Sequence, residues 1–135
     1  LRAEVEIAAQ QGEVLFMDQR QLLTFGFVPK IPLVVEYEKK LMMDTAMTGD
    51  ESYFLPLYAD LARHRFSLIV SEPLHTRVRE SEYQFGDENN AWVKWVAGPI
   101  LCYYEPLVTF KDMKVQLLTP REDGGDCPDI PGGAP

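Results

Sequence analysis

Three short, unbroken runs of apolar residues constrain the fold of this chain more than any other feature. They cover residues 14–17, 31–35 and 66–70 and lack the polar alternation of a strand with one exposed face. Strands that are buried on both faces form continuous apolar runs of this kind, rich in β-branched residues. Helical patterns lie between the runs, and this alternation predicts an α/β domain.

Amphipathic segments predict the helices that cover such a sheet. They are residues 2–11, 38–47 and 53–64, with a shorter one at residues 91–97. The third is the clearest, because its apolar residues recur at i, i+3, i+4 and i+7. Those residues are Phe54, Leu57, Tyr58 and Leu61. Pro56 fits this helix only in its first turn, where a missing N–H does no harm.

The remaining segments complete a predicted sheet of four strands. Residues 113–118 alternate polar and apolar side chains, which predicts a half-exposed strand at a sheet edge. Residues 74–90 are mostly polar and predict a long surface loop. We therefore expect a three-layer sandwich, with a mainly parallel sheet between helices on both faces and its first strand near the centre.

Length and charge limit the domain count and the class of partner. The 135 residues suit one domain, predicted over residues 1–121, and the Gly-, Pro- and Asp-rich residues 122–135 predict a flexible tail. The 13 basic and 21 acidic residues give a net charge of −8. Nucleic acid and anionic membrane surfaces are therefore poor partners. No run approaches the roughly 20 apolar residues of a membrane span, and the start at Leu1 suggests a fragment or a processed product.

The chain has two cysteines, Cys102 and Cys127. A disulfide between them is possible in an oxidising compartment. Cys102 lies in an apolar run and Cys127 in the polar tail, a pattern that favours a buried free thiol at Cys102.

Polar residues at the carboxyl ends of the predicted strands form the candidate ligand-binding site, because open α/β sheets bind ligands there. These residues are Asp18, Glu36, Ser71 and Glu72. Three converging carboxylates would bind a cation or perform acid–base chemistry, which would make the chain a small enzyme. Helix capping by Asp18 and simple solvation of the two glutamates explain the same residues, and the sequence favours that explanation.

The sequence contains no complete catalytic or cofactor-binding motif. His-x-x-x-His and Cys-x-x-Cys pairs are absent, so a zinc site has no framework. Gly-x-Ser-x-Gly is absent, and no glycine-rich turn follows the first apolar run. We predict no catalytic residue and no cofactor in this chain. The clustered aromatic residues at 92–110 favour core packing over a binding platform.

Seven segments spread over most of residues 1–121 carry a family resemblance. They are residues 12–16, 22–26, 31–34, 58–61, 65–70, 100–106 and 115–121. The most distinctive are Tyr58-Ala59-Asp60-Leu61, Arg65-Phe66-Ser67-Leu68-Ile69-Val70 and Ile100-Leu101-Cys102-Tyr103-Tyr104-Glu105-Pro106.

Together these segments resemble the soluble C-terminal domain of polytopic membrane glycosyltransferases of the GT-C type, which include mannosyltransferase-like proteins of bacteria. The resemblance implies an extracytoplasmic accessory domain that packs on the membrane-embedded portion of the same protein and helps to position a donor or an acceptor. The catalytic aspartates of that family lie in membrane-side loops that have no counterpart here, so no catalytic role is carried over.

A different class of function fits the same residues. The chain would then be a free-standing α/β module that binds a small ligand or a protein partner. Apolar segments of about 20 residues upstream of Leu1 in the parent reading frame would favour the membrane protein, and a natural start near Leu1 would favour the module.

Overall fold

Five helices and four strands make up the described part of the chain. The structure is a computed structural model and describes residues 1–18, 32, 34–78, 85–122 and 127. The helices are α1 (Arg2–Gln11), α2 (Lys39–Thr48), α3 (Glu51–Ala62), α4 (Gly86–Trp92) and α5 (Gly98–Tyr103). The strands are β1 (Glu13–Phe16), β2 (Phe66–Ser71), β3 (Tyr104–Phe110) and β4 (Val115–Pro120). Shorter helical turns occupy Val35–Tyr37, Val93–Ala97 and Lys111–Met113.

The described strands form one open sheet in the order β1-β2-β4-β3. β1 and β2 are parallel, with Leu15 opposite Ile69, whereas β4 is antiparallel to both β2 and β3. The predicted α/β class and the number of strands are confirmed for the described residues. The prediction of a mainly parallel sheet is wrong, because the sheet is mixed. The predicted central position of the first strand is also wrong, because β1 lies at one end of the described strand order.

β4 lies inside the sheet, between β2 and β3, so its predicted position at an edge is wrong. The polar residue that suggested an exposed face is Gln116, which is buried. Its amide Nε2 donates to Thr109 Oγ1 at 3.1 Å, and its Oε1 accepts from the backbone N of Leu74 at 3.0 Å. A buried amide with both ends hydrogen-bonded is compatible with an interior strand.

The predicted strand at residues 31–35 is also wrong where the structure describes it. Val34 has no regular structure and Val35 begins a 3-10 turn, while residues 31 and 33 lie outside the described residues. β3, which the sequence analysis missed, is the fourth strand instead. The helix that Asp18 was expected to cap falls in residues 19–26, which lie outside the described residues.

The side chains of β1 contribute to two separate apolar clusters. Along β1, Leu15 packs in the larger core with α2, α3 and α5, whereas Val14 and Phe16 pack in a smaller core with α1. The predicted apolar stripe of α3 is confirmed, since all four of its residues are buried. The expectation for Pro56 is wrong: α3 starts at Glu51, and Pro56 lies inside the helix.

The polar segment 74–90 is not a loop throughout. α4 begins at Gly86 and continues through a π-helical turn into α5, so Gly98 and Pro99 do not interrupt the helix. A Cβ placed on Gly98 would lie 2.8 Å from the carbonyl oxygen of Val93. The close backbone approach around the π-helical turn therefore requires glycine at this position.

The Tyr104 hydroxyl joins the start of β3 to the start of β2. It donates to the carbonyl of Phe66 at 2.7 Å and accepts from the N–H of Phe66 at 3.2 Å, and the tyrosine is fully buried. We expect Tyr104→Phe to lower the free energy of unfolding by about 1.5 kcal/mol, because buried backbone groups lose a partner. Urea denaturation measures this. Tyr53→Phe, which removes a half-buried hydroxyl bonded to the carbonyl of Glu36, should cost less.

Cys102 and Cys127 form a disulfide, so the predicted free thiol at Cys102 is wrong. Cys127 is 2% exposed and belongs to the larger core. The bridge therefore ties one residue of the predicted tail to α5, while most of residues 122–135 lie outside the described residues. None of the helices in the described segments has the length and apolar character of a membrane span.

Candidate functional site

A cavity of about 280 Å³ opens beyond the carboxyl ends of β1 and β2, and we call it the rim cavity. Because β1 and β2 are parallel, the residues that follow them meet at one edge of the sheet. Asp18 comes two residues after β1, Ser71 ends β2, and Glu72 follows it. The polar residues that line the rim cavity are Asp18, Lys39, Ser71, Glu72, His75, Glu88 and Asn89.

Three of the four predicted site residues therefore lie together, and Lys39 connects two of them. The Lys39 Nζ atom is 2.9 Å from Glu72 Oε2 and 3.7 Å from Asp18 Oδ2. The backbone N of Glu72 donates to Asp18 Oδ2 at 3.2 Å. Lys39 is held in place as the first residue of α2, where its own N–H donates to the carbonyl of Met17 at 2.8 Å.

Asp18 is the most constrained carboxylate of the rim cavity. Its side chain is 15% exposed, and its Oδ1 atom is buried with no hydrogen-bond donor among the described residues. Burial raises the pKa of Asp18 above its ordinary value, and the charge of Lys39 and the N–H of Glu72 oppose part of that rise. The surroundings of Asp18 thus disfavour its charged form.

The other walls of the rim cavity come from α4 and from the segment after β2. Trp92 and Phe85 contribute aromatic surface, and Met43 of α2 adds a flexible apolar side chain. Asn89 fixes the segment after β2, because its Nδ2 atom donates to the carbonyl of Arg77 at 2.9 Å. The predicted core role of the aromatic cluster holds for the buried Trp95, whereas Trp92 is half-buried and borders the rim cavity.

A second, shallower groove of about 600 Å³ adjoins the rim cavity. Asp18, Lys39 and Met43 line both spaces, so these three side chains stand where the cavity and the groove meet. The groove continues along the first turns of α2, past Glu38 and Lys40. A ligand longer than the rim cavity would extend in this direction.

Glu36, the fourth predicted site residue, lies elsewhere. It is in the 3-10 turn, and its Oε1 atom is 3.5 Å from Arg65 Nη1, beside the residue that precedes β2. The prediction that Asp18, Glu36 and Glu72 converge is therefore wrong for Glu36, and a three-carboxylate acid–base site is not formed. The cause is that the described residues of 31–35 do not form the predicted strand, which would have carried Glu36 to the carboxyl edge of the sheet.

Glu36 joins a network of charges that we call the Arg65 cluster. Its members are Glu13, Glu36, Tyr37, Asp60, Arg63 and Arg65. Arg65 binds both carboxylate oxygens of Glu13, at 2.9 and 3.1 Å, and Asp60 Oδ2 at 2.8 Å. Asp60 also accepts from the Tyr37 hydroxyl at 2.8 Å and from Arg63 Nη2 at 2.7 Å.

Asp60 is the buried centre of the Arg65 cluster, with 8% exposure. Burial alone would raise its pKa, but the hydrogen bonds from Arg63, Arg65 and Tyr37 outweigh burial and hold the pKa below its ordinary value. The cluster ties the end of α3 and the 3-10 turn to the starts of β1 and β2. Because its charges already have partners, we assign it a structural role.

The polar side chains of the rim cavity are characterised by their partners. The Ser71 hydroxyl donates to the carbonyl of Glu72 at 2.5 Å, so it is bonded to the backbone and not to a general base. In the parts of the chain that the structure describes, no three His, Cys, Asp or Glu side chains are grouped so that they could hold a metal ion. The cavity combines these polar groups with the aromatic side chains of Phe85 and Trp92, a lining that can hold a small ligand.

Lys39 and the α4 wall are the parts of the site that the sequence analysis missed. Lys39 was placed only as a helix residue, and residues 86–90 were predicted as loop. One signal was available for Lys39: the helix pattern starts at Glu38, whose side chain caps α2 through the N–H groups of Lys40 and Leu41. A lysine in that first turn has to lie near the carboxyl edge of β1 if the helix packs on the sheet.

No protein family, curated protein or solved structure matches this chain. The resemblance to GT-C glycosyltransferases remains a prediction from the sequence. The disulfide, the rim cavity and the Arg65 cluster are the features of the domain that bear on its function.

Proposed function

We propose that this chain is a non-catalytic extracytoplasmic accessory domain of a membrane glycosyltransferase-like protein, and that its rim cavity positions a donor or an acceptor. Its partner would be the membrane-embedded portion of the same parent protein. The observation that carries this proposal is the Cys102–Cys127 disulfide, which bears on the compartment. The rim cavity bears on ligand binding.

The disulfide supports the extracytoplasmic compartment. Disulfides form and persist in oxidising surroundings such as the periplasm and the cell surface, and they are rare in the cytosol. Both cysteines of the chain are used in the bridge. Cys127 is buried in the larger core, so the bridge is part of the packed domain.

The Arg65 cluster supports the family context. The segments that carry the resemblance include Asp60, at the end of α3, and Arg65 with Phe66, at the start of β2. These residues form the buried ion pair that sets the junction between helix and strand. Segments 58–61 and 65–70 of the resemblance therefore contain residues with a structural role in this domain.

The experiment is a topology and thiol assay on the full parent reading frame, expressed in a bacterial host with a tag at its carboxyl end. We expect the protein in the membrane fraction, with this domain digested by protease added outside spheroplasts. Maleimide–polyethylene glycol should shift its mobility only after reduction. A soluble cytosolic product with two reactive thiols would contradict the proposal.

The rim cavity also favours a second candidate, a free-standing α/β module that binds a small ligand. In that case the parent reading frame would encode no apolar segments of about 20 residues, and the domain would be released by osmotic shock or lysis without detergent. The same fractionation therefore separates the two candidates.

A further inference from the structure

We propose that a second copy of this chain docks on the exposed face of α3, so that the two α3 helices form an antiparallel pair around a two-fold axis. The inference goes beyond the proposed function and does not depend on it. It follows from three features of α3: an apolar exposed face, a sequence that complements itself when reversed, and opposite charges at the two ends.

The outward face of α3 is apolar over its whole length. The residues that form it recur at spacings of three and four, as one face of a helix requires, and all are exposed. They are Ser52, Leu55, Ala59 and Ala62. A surface helix normally carries charged side chains on this face, whereas the exposed residues of α3 between Glu51 and Arg63 have none. Leu55, the largest of them, is 43% exposed.

The exposed face of α3 complements itself when two copies run in opposite directions. With the two-fold axis level with Leu57, near the middle of the helix, Leu55 of each copy faces Ala59 of the other. A large apolar side chain thus meets a small one, and Ser52 faces Ala62 in the same way. Helices pack by placing the ridges of one into the grooves of the other, and the alanines leave room for Leu55.

The two ends of α3 carry opposite charges. Glu51 begins the helix and Arg63 directly follows it, so the same register sets Glu51 of one copy opposite Arg63 of the other. Arg63 is largely exposed. It binds Asp60 through Nε and Nη2, and its Nη1 atom has no hydrogen-bond partner among the described residues. Two such pairs favour the antiparallel arrangement, since a parallel one would set like charges together.

The length of α3 limits the strength of this contact. Its 12 residues span about 18 Å, and one helix face of that length buries less than the roughly 800 Å² per partner of a standard interface. We therefore expect a weak, reversible dimer with a Kd of about 100 µM. The contact uses the same surface on both copies, so the assembly closes at two chains.

The first test is sedimentation equilibrium of the full chain, from about tenfold below to tenfold above the expected Kd. The wild type should change from mostly monomer to mostly dimer over this range. Glu51→Lys should weaken the dimer about threefold or more, because it faces Arg63 of the second copy. Asp112→Lys makes the same change of charge at an exposed position on the turn after β3 and should leave association unchanged.

Two substitutions at Leu55 separate docking from misfolding. In the antiparallel pair the two copies of residue 55 lie about 6 Å apart along the helix axis. Leu55→Glu and Leu55→Lys therefore each set like charges together, and each variant alone should associate at least about tenfold more weakly than the wild type. An equal mixture should associate about fivefold more tightly than either variant alone, because opposite charges then meet. Misfolding cannot explain a gain on mixing.

A wild type that stays monomeric over the whole range would overturn this inference. So would association that Leu55→Glu leaves unchanged, or a mixture that associates no better than its components. If α3 is protected from amide exchange only in the full parent protein, its partner is the membrane-embedded portion and the second copy is excluded. The thiol and topology assay is independent of these results, so the proposed function and this inference can fail separately.

Discussion

Asp60→Ala should lower the free energy of unfolding by about 3 kcal/mol, because it removes the buried acceptor that three donors share. The Tyr37 hydroxyl and the Arg65 guanidinium would each lose a bond of 2.8 Å, and Arg63 would lose its contact with Oδ1. Tyr37 is 4% exposed, so water does not readily replace that bond. Arg63 is largely exposed and should contribute least.

Asp44→Ala is the matched control for this substitution. Asp44 pairs with Lys40 one helical turn away at 3.2 Å, but both side chains are mostly exposed. Such pairs contribute at most about 0.5 kcal/mol. Guanidinium denaturation of both variants measures the difference. Equal losses for Asp60→Ala and Asp44→Ala would mean that the Arg65 cluster is not a stabilising network.

The loss at Asp60 should depend on pH in a defined direction. Its folded pKa lies below the ordinary value, so its contribution is complete above the unfolded pKa of about 4 and disappears as pH falls through the lower, folded pKa. The difference in stability between wild type and Asp60→Ala should therefore be largest at neutral pH and shrink in acid. Denaturation curves at a series of pH values down to about 3 would follow this change.

Removal of the Cys102–Cys127 disulfide should lower the free energy of unfolding by about 3.5 kcal/mol. The bridge joins residues separated by 25 positions, and a crosslink closing a loop of that length restricts the unfolded chain by about that amount. The Cys102→Ala, Cys127→Ala double variant tests the effect without a reductant.

Reduction provides a control for the disulfide prediction. A phosphine reductant should destabilise the wild type about as much as the double substitution does and should leave the double variant unchanged. If the wild type keeps its stability after full reduction, confirmed by thiol titration, the packing of residue 127 would be sufficient without the bond.

The sequence predicted the elements that depend on local patterning. α1 and α3 have strong periodic stripes, and β1 and β2 are continuous apolar runs, so their type and approximate position could be read directly. β3 could not, because its burial is incomplete and Pro106 lies within it. The strand order could not be predicted either, because it is set by contacts between segments that are distant in sequence and not by local composition.

The candidate site was predicted in part for the same reason. Asp18, Ser71 and Glu72 follow strands that were recognised, and the parallel pairing of β1 with β2 brings them together. Glu36 was placed at the end of a predicted strand that the described residues of 31–35 do not form. Lys39 and Trp92 enter the site through the packing of α2 and α4, and no spacing rule in the sequence links them to Asp18.

The sheet order also determines how this domain can assemble. β3 and β4 are joined by the short turn Lys111–Met113, so this hairpin needs little loop closure and can form early. The other pairings are distant in sequence, with Val14 opposite Leu68 and Ile69 opposite Leu118. We therefore expect the late docking of β2 and β1 onto the hairpin to limit the folding rate. Folding should be slow, because these pairings join residues that are far apart in the sequence.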